Sequence, residues 1–214
     1  MAIIDSFRPN ATTLEFSAWP EDITGLERIL LTARGDLQRM LSAFFAETIS
    51  IKSIYANTGP RNGPACNEAP VTQEREVHLV CRGRTVCVAT STITLSSALC
   101  EGLFLDDKFA VGQMFRKLGQ PPKFELLDAG AGRDEHTGRR TLWRRYTLST
   151  EGFHCDIVEA FPDRDMFVRG AAWFDDAPMP QRGAVPPSVP ELKAKAAQVV
   201  QELHASVAAG EVVA

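Results

Sequence analysis

Two charged residues fall where strands should present apolar side chains. Over residues 74–82, period-2 alternation sets Arg75, Val77, Leu79 and Cys81 on one face and Glu76, His78, Val80 and Arg82 on the other. The first set is the apolar one, so Arg75 opens a core-facing row. Over residues 153–161, Phe153, Cys155, Ile157, Glu159 and Phe161 share a face, opposite His154, Asp156, Val158 and Ala160. Glu159 therefore stands between Ile157 and Phe161 on the buried side. An unpaired guanidinium or carboxylate is costly to bury, so such groups persist when paired or when a ligand uses them. Two readings stay open here: Arg75 and Glu159 form a buried salt bridge with each other, or both face a ligand. The planar fork of an arginine suits a carboxylate ligand. A glutamate on the opposite wall can accept from a hydroxyl, or act as acid or base if burial raises its pKa.

Other chemistry-bearing residues carry weaker signals. Arg139, Arg140, Arg144 and Arg145 cluster around Trp143 and Tyr146, but alternation distributes them over both faces, which reads as a solvated edge. His78 and His154 point outward. Met114 and Phe115 read as core. Cys155 lies beside the two charged residues, but no histidine shares its face, so it reads as an inert thiol. The five cysteines are widely spaced and contain no C-x-x-C pair, and the four histidines fall at no zinc-binding spacing. Reduced, mostly buried thiols and no metal site are expected. Phosphate-loop, dinucleotide and nucleophile-elbow glycine motifs are all missing from the sequence, so nucleotide-dependent and triad-hydrolase mechanisms are not expected.

These residues need elements to hold them. Residues 26–31 have helical spacing and end near Gly35, after which Asp36 can cap a second helix carrying Leu37, Met40, Leu41, Phe44 and Phe45. Residues 49–55 read as a strand, and the Gly-, Pro- and Asn-rich stretch 57–70 as an exposed, mobile loop. Segments 74–82 and 84–94 make a hairpin around Gly83, and 140–149 and 153–161 another around Glu151-Gly152. Short helices are expected over 95–103 and 109–118, a strand over 124–128 and a loop over 129–138. The class is α+β: a mainly antiparallel sheet with short helices covering one face.

Residues 1–25 read as an N-terminal extension and 26–177 as the domain. Five of the 13 prolines lie within 178–190, which reads as a linker. Ser188 and Glu191 match a capping box ahead of a C-terminal helix over 191–214 with one apolar stripe, either packed on the domain or forming a homodimer. Lys plus Arg number 23 against 27 Asp plus Glu, for a net charge of −4, which argues against nucleic-acid binding. No apolar run approaches a membrane span, and residues 1–5 lack the form of a signal peptide. A soluble, cytoplasmic protein, monomeric or dimeric through its last helix, is the expectation.

The order of several motifs resembles the chorismate lyase (chorismate–pyruvate lyase) family. The pieces are Leu30-Leu31-Thr32, Gly35-Asp36-Leu37-Gln38-Arg39-Met40-Leu41, Arg75-Glu76-Val77-His78-Leu79, Phe109-Ala110-Val111-Gly112-Gln113-Met114-Phe115, Trp143-Arg144-Arg145-Tyr146 and Ile157-Val158-Glu159-Ala160-Phe161-Pro162. They span about residues 26–165. The resemblance implies a six-stranded antiparallel sheet with helical flaps enclosing an aromatic ligand. It implies a ligand carboxylate on Arg75, helped by backbone N–H groups at Leu37 and Val111, and a ring hydroxyl on Glu159. The implied activity is a cofactor-free lyase taking a small carboxylate substrate, splitting chorismate into pyruvate and 4-hydroxybenzoate. Two positions depart from the family pattern: Thr90 replaces a second basic residue, and Val111-Gly112-Gln113 replaces Leu-Gly-Arg. A dianion would meet one fewer positive charge. A relative with the same cavity, acting as dehydratase, isomerase or cyclase on another carboxylated or phenolic substrate, and a non-catalytic binding domain are the alternatives.

Overall fold

The computed structural model describes residues 22–34, 36–135 and 137–175. The expected linker, the C-terminal helix and most of the N-terminal extension lie outside the described residues. Helix α1 (Gly25–Leu31) starts in a capping box, in which the backbone N–H of Thr24 donates to Glu27 Oε2 at 2.8 Å and the Thr24 hydroxyl accepts from Glu27 N. Helix α2 (Leu37–Phe45) buries Leu37, Leu41 and Phe45, which is one face at four-residue spacing. Asp36 does precede it, but in the left-handed region and without a side-chain capping bond. The expected aspartate cap is therefore not made.

Six strands follow: β1 (Ser50–Thr58), β2 (Val71–Cys81), β3 (Arg84–Leu95), β4 (Lys123–Arg133), β5 (Arg140–Thr150) and β6 (Phe153–Phe161). All neighbours pair antiparallel, in the order β1-β2-β3-β6-β5-β4. The fold is thus α+β, two three-stranded meanders joined where β3 meets β6. The β2–β3 turn places Arg82 and Gly83 both at positive φ (46° and 77°), as the right-handed twist of a two-residue hairpin requires. Gly152 in the β5–β6 turn also has positive φ (75°), and a Cβ there would meet the Cβ of Ser97 at 2.3 Å.

Between β3 and β4 lie α3 (Ala98–Glu101), a π-helical turn (Gly102–Asp106) and α4 (Val111–Leu118). Phe104 and Phe115 set their rings edge-on to Phe153 at the start of β6, with centroids 6.0 and 5.3 Å away. After β6, α5 (Met166–Arg169) and a 3-10 turn (Gly170–Asp175) close the described chain, with Phe167 packed on Phe161. One core joins the helices to the inner sheet face, with Leu31, Leu41, Ile93, Met114 and Phe161 at its centre.

Two expectations need correction. Residues 129–133 belong to β4 rather than to a loop. The small residues there read as loop composition, yet Trp143 of β5 lies across Gly130, where a Cβ would stand 3.0 Å from its ring. The loop after β1 starts later than expected, and it is tied down. Arg61 reaches Glu101 (2.6 Å) and Asp106 (2.8 Å), and the Ala65 N–H donates to Glu101 Oε2 at 2.7 Å.

Candidate active site

Strand register decides which side chains can meet. One row across the sheet runs Arg75, Ser91, Ile157, Tyr146; the next runs Val77, Ala89, Glu159, Arg144. Directly opposed residues share a face, so Arg75 and Glu159 both stand on the inner side, one row and two strands apart. They do not pair with each other. Glu159 Oε2 accepts from Arg144 Nε at 2.6 Å, and Oε1 accepts from the Tyr146 hydroxyl at 2.9 Å. The cross-strand neighbour wins because it is already in place, and both carboxylate oxygens gain a donor.

Arg144 is 0% exposed, so the solvated edge expected for this cluster does not hold at this position. β5 is an interior strand, and Leu142, Tyr146 and Leu148 share the parity of Arg144 and are buried with it. Nη1 of Arg144 donates to the carbonyls of Leu30 (3.1 Å), Leu31 (3.0 Å) and Ala33 (2.7 Å). These lie at the C-terminal end of α1, where carbonyls lack helical partners and a cation is favoured. Burial works against the charge, but Glu159 outweighs it and holds Arg144 above the ordinary arginine range. The guanidinium also lies 4.6 Å from the Tyr146 ring centroid, and Phe124 covers that ring at 5.1 Å. Burial first, then Glu159, pushes the Tyr146 phenol well above its usual pKa, so it stays protonated and donates.

Arg75 is placed differently. Its Nε donates to Ser91 Oγ at 3.2 Å, and its guanidinium lies 5.2 Å from the Phe104 ring centroid. Among the described residues no carboxylate pairs with it. Burial draws its pKa below the ordinary arginine value, partly opposed by Cys155 and Tyr146. Burial likewise pushes the Cys155 thiol up to about 12, with Arg75 pulling the other way, so the thiol is neutral and a poor nucleophile. Phe104 belongs to the π-helical turn, whose flanks Arg61 fastens at Glu101 and Asp106.

Leu37 and Val111 are each the first residue of a helix, α2 and α4, so their N–H groups have no intrahelical acceptor. Gln113 is engaged at the start of α4, where its Oε1 accepts from Ala110 N at 3.2 Å. Thr90 sits opposite Glu76 and Val158 on the outer face, away from Arg75. On that face His78 bonds Glu76 at 2.8 Å, and His154 is exposed. Two surface clefts lie elsewhere, one along Asn57, Thr72, Glu74 and Thr92, the other along Gly130, Arg133, Arg140 and Arg164. Among the described residues no three His, Cys, Asp or Glu side chains gather as metal ligands would. No helix of the described residues is long and apolar enough to cross a membrane.

Sequence reasoning picked out Arg75 and Glu159 but missed the side chains that surround them. Arg144 and Tyr146 were detectable from strand parity. Ser91 and Phe104 carry no local signal, because their roles follow from register and from where the flap lies. Comparison with known proteins finds no matching family model and no matching curated protein.

Proposed function

We propose that Arg75 anchors the carboxylate of a small planar substrate beneath the α3–α4 flap, and that the protein is a cofactor-independent carbon–oxygen lyase of chorismate type. One observation carries this reading: a cation on the core face of β2 has a serine and an aromatic ring as neighbours but no carboxylate among the described residues. The other arginines buried in this molecule, Arg144 and Arg164, have carboxylate partners. The motif order from α1 to β6 and the six-stranded antiparallel sheet are both consistent with that resemblance.

In the proposed reaction the ether C–O bond of chorismate breaks. The neighbouring ring carbon, which bears the hydroxyl, gives its proton to the enolpyruvyl methylene, pyruvate leaves and the ring becomes aromatic. The protein's part is positioning and electrostatics. Arg75 holds the ring carboxylate, with the free N–H groups of Leu37 and Val111 as further donors. Both oxygens of Glu159 already accept bonds from Arg144 and Tyr146, so its part is to hold those two side chains in place. Phe104 lies against one side of the half-buried Arg75, so movement of the flap would widen access to it.

A second reading has its own support. Thr90 faces away from Arg75 and Gln113 caps α4, so neither adds positive charge for a dianion. A monoanionic carboxylate handled by a dehydratase, isomerase or cyclase suits that balance. Incubation of the purified protein with chorismate, followed by a coupled pyruvate assay, separates the two. Equimolar pyruvate and 4-hydroxybenzoate, abolished by Arg75→Gln, is the expected result. No pyruvate, with 4-hydroxybenzoate still raising Tm in an Arg75-dependent way, would replace the lyase by the second reading.

A further inference from the structure

Arg144 has one donor to spare. Its Nε serves Glu159 and its Nη1 serves three carbonyls, but Nη2 is buried without a hydrogen-bond partner. Among the described residues it is the buried side-chain polar atom left in that condition. A charged N–H group kept from water with no acceptor loses its solvation and gains nothing in exchange. The group next to it, Tyr146, bonds the Glu159 carboxylate and stands in the same cross-strand row as Arg75. Among the described residues, the inner sheet face therefore carries a cation lacking a carboxylate at Arg75 and an unused donor at Arg144, with Tyr146 between them.

We propose that Nη2 of Arg144 is a specificity determinant: it receives an oxygen acceptor at the end of the ligand remote from the carboxylate that Arg75 holds. This inference rests on the reading of Arg75 given above. The unfilled capacity at this end is a donor, because Glu159 already accepts from Arg144 and Tyr146. The site thus selects a planar carboxylate whose opposite end bears a hydroxyl, ether or carbonyl oxygen over one ending in a methyl group.

Titration calorimetry of the full chain with 4-hydroxybenzoate and 4-methylbenzoate, which are close in size, tests this. The hydroxy compound should bind about tenfold more tightly, the usual scale of a hydrogen bond to a charged group. Arg144→Lys, which keeps the charge but lacks Nη2, should bring that ratio close to one while 4-methylbenzoate still binds. Should this variant fail to fold, side-chain 15N spectra of the wild-type arginines decide. The Arg144 signals should move with 4-hydroxybenzoate and stay in place with 4-methylbenzoate. Equal affinity of the wild type for both compounds, or an unmoved Arg144 signal, would overturn this inference and leave Arg75 as the carboxylate anchor, with the Tyr146 ring then the only company Nη2 needs. If neither benzoate binds, or if Arg75→Gln binds them as well as the wild type, the reading of Arg75 itself falls and this inference falls with it.

Discussion

Removing the Arg144 guanidinium would strand the Glu159 carboxylate in the core with the Tyr146 hydroxyl alone, and would release the carbonyls at the end of α1. A buried ion pair broken on one side typically costs about 3–5 kcal/mol, while replacing both partners by apolar groups of similar volume is often near neutral. Arg144→Met should therefore lower stability by about 3–5 kcal/mol in urea unfolding, and Arg144→Met with Glu159→Leu should recover most of it. A loss below about 1 kcal/mol in the single variant would mean that water reaches the pair. Glu159 was legible from alternation on its own strand. Its pairing with Arg144 was not, because the register of β5 against β6 is set by the turn at Gly152 and by the core. Arg144 itself sits among four arginines, and that local charge masked a parity shared with Leu142, Tyr146 and Leu148.

The flap over Arg75 is held by polar contacts at its edges as well as by Phe104 and Phe115 within. Glu101 is buried and takes both the Arg61 guanidinium and the Ala65 N–H, whereas the Arg61–Asp106 pair is open to solvent. Exposed ion pairs contribute little to global stability, about 0–1 kcal/mol, but they can govern local opening. Asp106→Ala, which breaks only the solvent-open pair, should leave the urea midpoint nearly unchanged and speed amide hydrogen exchange across residues 101–106 several-fold, with β3 and β6 unaffected. Unchanged exchange there would show that the flap is held without this pair. The two hairpins were readable because their strands alternate in period 2 and meet at Gly83 and Gly152, both at positive φ. Two features of the same region were not. A π-helical turn differs from an α-helix only in which carbonyl each N–H reaches, and apolar spacing does not report that. The end of β4 is composed of alanine and glycine, and its strand character depends on Trp143 of its neighbour.

Across the whole molecule the first described helix is clasped to the end of the sheet. Arg164 is buried, bonds Glu27 through two nitrogens and reaches Asp22 at 2.6 Å. The bond to Arg164 holds the Asp22 carboxyl below its ordinary range. Burial raises Glu27, but its bonds to Arg164 and Thr24 outweigh that and leave it depressed as well. Carboxyls with depressed native pKa values stabilise the fold fully above their unfolded values, about 3.9 and 4.3. That contribution is lost as pH falls through the native values. Asp128, raised chiefly by burial, works in the opposite sense. Urea midpoints measured from pH 6 to pH 2 should fall with acid, and Arg164→Met should flatten that fall while lowering stability at neutral pH. Identical slopes in the two proteins would remove the clasp as the source.

The strand order has a consequence for how the chain is made. Strand β3 completes its hydrogen bonding with β6, which is the last of the described strands to leave the ribosome. At about 5–20 residues per second, the first meander waits roughly 3–11 s for residues 96–152 to be synthesised. During that interval a strand rich in threonine and valine presents an open edge, the kind of template on which nascent chains aggregate. Yield on expression should then depend on translation speed and chaperone supply through this stretch more than on the stability of the finished protein.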